Sequence, residues 1–378
     1  MSVKSQISVA LSTGLTLALC SSSLWANSGD YDLATNDRNK TTKKMARDKG
    51  SDGAWMAVPI PFANPTLGAG LQAAVLYLHE QKEPGTPNAT SGIGGMYADS
   101  KSYFLGVFHD DYWKSDRFRF SFLAGTGKLN LNYYGPGDIP LLEKHPLGYG
   151  IQVNGLYTKL LTRLPYTESW YGGFEYAGSQ STVSFDLGQI IDRLPVIDAD
   201  VRTSGLGPVL SFDSRDDNYY PSNGQIFNAK YSINDEGLGS DFNFRMLKSD
   251  YRKYFTLIPK NVLALKAQIK AADGEIPFFI EPTLSMRGFD VARYRDNVTA
   301  SMHAEWRYKF HDRWGAVAFA ETGAVADNVD ELSDGTHISS AGVGIRWQAT
   351  KAKKINLGID IAVSTDDQAV YIRAGEAF

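Results

Sequence analysis

From Ala54 onward the chain is written in a period of two. In "NVTASMHAEWRYKF", Val298, Ala300, Met302, Ala304, Trp306, Tyr308 and Phe310 share one face. Asn297, Thr299, Ser301, His303, Glu305, Arg307 and Lys309 share the other. "KINLGIDIAVS" repeats this, with Ile355, Leu357, Ile359, Ile361 and Val363 opposite Asn356, Gly358, Asp360 and Ser364. "VLALKAQIK" and "DRFRFSF" alternate in the same way. Side chains two apart on an extended chain point the same way, so strict alternation marks strands with one apolar and one wet face.

The pattern predicts about sixteen strands, near 54–62, 66–79, 89–98, 101–111, 116–128, 148–161, 167–183, 200–213, 224–234, 240–256, 261–271, 297–310, 313–325, 337–349, 354–364 and 368–378. Short connections such as "PYTES", "IPKN" and "FHD" alternate with long ones such as "GPGDIPLLEKHPLG" and "DNVDELSDGT". An even set of antiparallel strands joined in this way predicts an all-β fold, a transmembrane antiparallel β-barrel. A soluble sandwich alternates too, but a closed sheet of this size encloses a lumen too wide for side chains to fill. Charges recurring on the wet face suit that water-filled interior. Trp306, Tyr308 and Phe310 beside a short turn predict an interface girdle, and the terminal Phe378 suits the end of the last strand.

The first 26 residues add an address. Lys4, the apolar run Ile7–Leu19 and "SLWA" ending at Ala26 form a secretory signal peptide, residues 1–26. The run is short of the ~20 apolar residues that cross a bilayer. Residues 27–53 are polar and mixed in charge, a flexible periplasmic tail, and 54–378 form the barrel. The only cysteine, Cys20, falls in the signal, which excludes disulfide and thiol chemistry from the mature chain. The net charge of −4 carries no basic stripe, so nucleic acid is excluded as a partner. His79, His109, His145, His303 and His311 show no metal-ligand spacing, and no cofactor is expected. His337-Ile338-Ser339 has the spacing of a phospholipase pair on one strand face, but no third member is identifiable, and no catalytic residue is assigned.

Three segments carry further meaning. "SFDSRDDNYYPSNGQIF" holds Asp213, Arg215 and Asp216, then Pro221 and Gly224, residue types that form and shape a turn. "IPFFIEPTLSMRGFDVARYRDN" sets Arg287-Gly288-Phe289 in a long connection too apolar for a linker. "VAFAETGAV" contains Phe319-Ala320-Glu321-Thr322-Gly323. In this order, with Glu305 between the last two, they resemble the BamA/TamA superfamily of outer-membrane proteins, the bacterial surface antigen barrels. The likeness is densest from Ser204 to Phe378. It departs at Glu321, where the family usually has aspartate.

The resemblance implies that the loop between strands 11 and 12 folds back into the lumen and latches there. Glu305 and Glu321 lie on inward faces, so Arg287 could bridge both with its planar fork. Gly288 would allow close approach or positive φ, and Phe289 would pack near Phe319. The resemblance further implies insertion or translocation of protein, or of lipid, with outer-membrane lipid and a client polypeptide or periplasmic partner as company. Relatives carry periplasmic POTRA domains before the barrel. Only the polar tail stands in that place here, so a barrel-only member is expected. A passive or gated pore plugged by the loop is the alternative. Oligomeric state is not legible in the sequence.

Overall fold

In lipid no water satisfies the backbone, so a sheet that spans a membrane must close on itself. The computed structural model describes residues 54–378 except 81, 83–85, 136–141, 143–144, 187–195, 218–219, 351–354 and 366. The expected signal peptide, 1–26, and polar tail, 27–53, lie outside the described residues. Sixteen strands follow in order: β1 (Ala54–Asn64), β2 (Gly68–Leu78), β3 (Thr90–Ala98), β4 (Tyr103–Trp113), β5 (Phe118–Tyr133), β6 (Leu147–Arg163), β7 (Trp170–Asp186) and β8 (Val196–Asp213). β9 (Gly224–Asn234), β10 (Phe244–Ile258), β11 (Asn261–Gly274), β12 (Val298–Tyr308), β13 (Trp314–Ala326), β14 (Thr336–Thr350), β15 (Ile355–Ser364) and β16 (Gln368–Ala374) complete them. Each pairs antiparallel with its chain neighbours, and β16 meets β1 to close the barrel.

The alternation resolves into an outer apolar skin and an inner polar wall. On β15, Ile359, Ile361 and Val363 are 48%, 54% and 56% exposed, while Asp360 between them is 0% exposed. Trp306 and Tyr308 stack outside at 5.9 Å and Phe310 follows at 6.2 Å, an aromatic belt beside the β12–β13 turn.

Closure is uneven around the ring. β1 and β2 register along their whole length, from Ala54 with Leu78 to Asn64 with Gly68. Across the β1–β16 seam the register is a single pair, Ala63 with Ile372.

Two features depart from the sequence reading. The final strand stops at Ala374, so Phe378 does not end it. Gly375 takes φ +89°, donates its N–H to Asn356 O at 2.7 Å and turns the chain out of the sheet. Phe378 then packs in the lumen against Ile226, Tyr254 and Ala264. The second departure is in β5 and β6, where polarity inverts. Leu129, Tyr149, Ile151 and Val153 face inward and are buried, while Asn130, Gln152 and Asn154 face outward. This part of the barrel encloses an apolar core, which the loop residues Phe278 and Phe279 join.

Candidate functional site

Residues 275–297 connect β11 to β12 at the same end of the barrel as the β1–β2 turn. Alternation places Glu305 on the inner face of β12, Glu321 on that of β13 and Asp360 on that of β15. The loop brings Arg287 among them. Its Nε donates to Glu321 Oε1 at 2.6 Å, and its backbone N–H donates to Glu321 Oε2, also at 2.6 Å. Nη1 donates to Glu305 Oε2 at 2.7 Å and to Asp360 Oδ2 at 3.2 Å. The guanidinium carbon lies 3.3 Å from the centroid of the Phe319 ring, a cation–π contact. Arg287 is 5% exposed and Glu305 0%. Burial alone would weaken the Arg287 charge, but Glu321, Glu305 and Asp360 outweigh it and hold the proton more firmly than in a free arginine.

Gly288 makes this approach possible. It adopts φ +112°, and a Cβ there would stand 3.1 Å from the Cβ atoms of Ser340 and Ser364. Its N–H donates to the Tyr371 hydroxyl of β16 at 2.9 Å, and its carbonyl accepts from Ser364 Oγ at 3.1 Å. Phe289 does not pack on Phe319, as the sequence reading expects. That face is taken by the Arg287 cation, and Phe289 goes instead to Leu284, Met286, Val325 and Ile338, with Tyr294 edge-on at 5.0 Å. Gly323 leaves the room that Leu284 fills.

The ionic cluster is wider than one arginine and two glutamates. Arg307 Nε donates to Glu305 Oε1 at 2.8 Å, and Arg346 holds Asp360 with both terminal nitrogens. Arg373 Nε stands 3.3 Å from Asp360 Oδ2, and Arg346 Nε donates to Glu376 Oε2 at 3.0 Å. Arg307 Nη2 also donates to Phe378 O at 2.6 Å, so the inturned C-terminal segment is tied into the same network. Four guanidiniums (Arg287, Arg307, Arg346, Arg373) thus meet four carboxylates (Glu305, Glu321, Asp360, Glu376). A buried charge is tolerated when it is balanced in this way. Asp360 was placed on a polar strand face but not in the site, and Arg346 and Tyr371 were not named in the sequence reading. Their one signal was position on the inner faces of β14, β15 and β16.

The loop also holds the far side of the seam. Thr66, in the β1–β2 turn, donates through Oγ1 to Asp290 Oδ1 at 2.9 Å and accepts the Val291 N–H at 3.1 Å. The Tyr134 hydroxyl donates to Asp290 Oδ2 at 3.2 Å. Gly288 on β16 and Asp290 on the β1–β2 turn therefore span the β1–β16 closure from inside.

The second motif lies apart, in the β8–β9 connection. Arg215 forks onto Asp213, with Nη2 to Oδ2 at 2.7 Å. Asp216 Oδ1 accepts the N–H groups of Ser222 at 2.8 Å and Asn223 at 3.1 Å. Pro221 is buried, and Gly224 turns into β9 with φ +101°. These contacts fold the turn. His337 and Ser339 do not meet. His337 Nε2 lies 3.0 Å from Ser333 O, and Ser339 Oγ 3.2 Å from Thr322 Oγ1. His303 lies buried in the lumen, its Nε2 3.0 Å from Ser301 Oγ.

Comparison with known proteins gives the geometry a family. The model of the Omp85 superfamily domain matches residues 88–378. Among solved structures, BamA from Haemophilus ducreyi lacking POTRA domains 1–3 superposes with a TM-score of 0.59 at 13% identity, over 87% of this chain and 70% of that one. CdiB from Acinetobacter baumannii gives 0.56 at 10% identity, over 86% and 60%. CdiB from Escherichia coli gives 0.54 at 9%, over 85% and 62%. The chain thus spans less than two thirds of the length of either CdiB. No curated protein matches it by sequence. The closed sixteen-strand barrel and the matched domain agree, and the chain belongs to the Omp85 superfamily as a bacterial outer-membrane protein.

Proposed function

We propose that the barrel inserts or translocates polypeptide at the outer membrane, with the β1–β16 seam as the place where a client strand or lipid enters the wall. The observation that carries this reading is the seam register of one pair, Ala63 with Ile372, in a barrel whose other strands pair extensively. Unpaired strand edges are templates for another strand. The Arg287 loop serves as the latch that keeps this edge in shape when no client is present, since it grips β12, β13, β15 and β16 together.

Photo-crosslinking residues placed at Ala63 and Ile372 in intact cells test the reading. Adducts with nascent outer-membrane polypeptides are the expected result. A chain that yields none, and that conducts ions steadily in planar bilayers, is a passive pore instead. The latch is tested separately by conductance. Native protein should be nearly closed, because the loop and the C-terminal segment occupy the lumen, and Arg287→Ala should open it. An Arg287→Ala protein with unchanged conductance and assembly removes the latch.

A further inference from the structure

The stretch "PIPFANP", residues 59–65, has a proline at every second position except one, Ala63. The side of β1 to which these residues turn is fixed by β2. The Asp99 N–H donates to Ala69 O at 2.8 Å, and the Ala69 N–H donates to Asp99 Oδ2 at 3.1 Å. Ala69 thus spends both backbone groups away from β1, and Ala63 is its register partner there. In an antiparallel ladder, residues directly opposite each other exchange both hydrogen bonds or neither, in alternation. Ala63 therefore turns its N–H and C=O toward β16, and so do the other odd positions of β1, Pro59 and Pro61 among them. The pairing of Ala63 with Ile372 agrees.

Proline has no N–H to give, and in sheets it sits where that group would face away from the ladder. The ladder of β1 with β2 is spared, and the loss falls on the seam. When the register of Ala63 with Ile372 is continued, Pro61 falls opposite Ala374 and Pro59 opposite the position of Glu376. Pro65, which opens the β1–β2 turn, falls opposite Val370. Ala63 is the one residue of this series with a donor, and it makes the one register pair of the seam. Residues 375–378 leave the sheet where the facing edge offers them no N–H.

The other edge is intact. Gly375 donates its N–H to Asn356 O at 2.7 Å, so odd positions of β16 face β15 and even ones face the seam. Gln368–Ala374 contains no proline, and Val370, Ile372 and Ala374 carry both donor and acceptor along the seam. Prolines on an edge deter strand addition, whereas an unbroken row of backbone groups invites it.

We propose that β16 is the edge that receives a client strand, and that β1 is the side that gives way. This rests on the insertion reading and specifies its partner. The occupant is a polypeptide strand of alternating apolar and polar residues, antiparallel to β16 and so running in the direction of β1. Its N–H groups supply what Pro59, Pro61 and Pro65 withhold.

A photo-crosslinking residue at Val370, 54% exposed on the outer face, reports client contact in intact cells. Heat-modifiable migration identifies variants that have folded. Ile372→Pro with Ala374→Pro gives β16 the spacing that β1 already carries and spares its ladder with β15. Adducts should fall about tenfold, the loss expected for two backbone hydrogen bonds. Ala57→Pro, which takes a further donor from β1, should leave them unchanged. Pro59→Ala with Pro61→Ala restores two donors to β1 and should zip the wall, giving fewer adducts and a heat-modifiability transition a few degrees higher. More adducts from this alanine variant, or undiminished adducts from the β16 proline variant, overturn the choice of edge alone. A native chain with no adducts at Val370, Ala63 or Ile372 removes the insertion reading, and this one with it.

Discussion

Glu281 shows how the inward loop sets the chemistry of single residues. Burial raises its pKa, Arg295 opposes the shift, and Asp296 adds to it. A carboxyl whose folded pKa lies above its unfolded value binds its proton more tightly when folded. Its contribution is fully present below the unfolded value and is lost as pH rises through the folded one. Glu281→Gln should therefore raise the urea midpoint at pH 7, where the glutamate is ionised at a cost, and bring little gain at pH 4. Equal effects at both pH values contradict this. Arg287 is the opposite case, a buried cation fully matched by acids. Its replacement by alanine leaves Glu305, Glu321 and Asp360 without that partner, and stability should fall by about 3–5 kcal/mol, the range for breaking a buried pair from one side. Arg287→Lys keeps the charge but loses the fork and should fall between the two, read from the same urea curves. At this scale period two assigned Glu305 and Glu321 their inward faces, and Arg287 was disclosed by the resemblance that its Arg-Gly-Phe motif carries. Neither put Asp360 in the site, since a face says nothing about which residues meet across a lumen. Phe289 was misplaced for a related reason. Two aromatics were paired by likeness, while the Phe319 ring was the better seat for a cation.

Strands were legible because lipid outside and water inside impose opposite demands on alternate residues. All sixteen predicted strands are present, with ends displaced by up to five residues, the most at β5. β5 runs on to Tyr133, beyond the predicted end, because Leu129 and Leu131 turn inward and the outside becomes polar. The last segment misled in the other direction. "QAVYIRAGEAF" keeps alternating to its end, and only the positive φ of Gly375 shows that the chain leaves the sheet. The β11–β12 loop was legible as a long apolar-rich connection, but its anchor on the β1–β2 turn was not, because Thr66 and Asp290 are 224 positions apart. That anchor carries a prediction. Thr66→Val with Asp290→Asn removes the charge-assisted bond yet leaves Arg287 in place. The loop should stay in the lumen but loosen near β1, seen as faster proteolysis within 290–297 and a heat-modifiability transition a few degrees lower. An unchanged transition means that Asp290 holds only its own turn, through the Ala292 N–H.

Among the described residues, the β1–β16 seam is the one place where strand pairing does not carry the closure. Along β1 and β2 the ladder is complete, whereas between β1 and β16 it is a single register pair, and the loop bridges the gap from within. A wall closed partly by a loop can open without breaking most of its backbone hydrogen bonds, and the two proposed uses of the protein differ on whether it does. Antiparallel register partners lie about 4.5–5.5 Å apart at Cα, within the span of a disulfide. The double variant Ala63→Cys with Ile372→Cys should therefore oxidise in place, in a chain whose one native cysteine, Cys20, lies in the expected signal peptide. With the photo-crosslinking residue moved to neighbouring Val370 of β16, which is exposed on the outer face, the oxidised form should lose adducts by an order of magnitude and regain them on reduction if the seam admits clients. Its single-channel conductance should be the same in both states, because the lumen is untouched. If the barrel is a pore gated by its loop alone, locking the wall should alter neither readout, and the Arg287 variant should be the only one to conduct. Adducts that survive the locked wall would place client entry elsewhere and remove the seam from the mechanism.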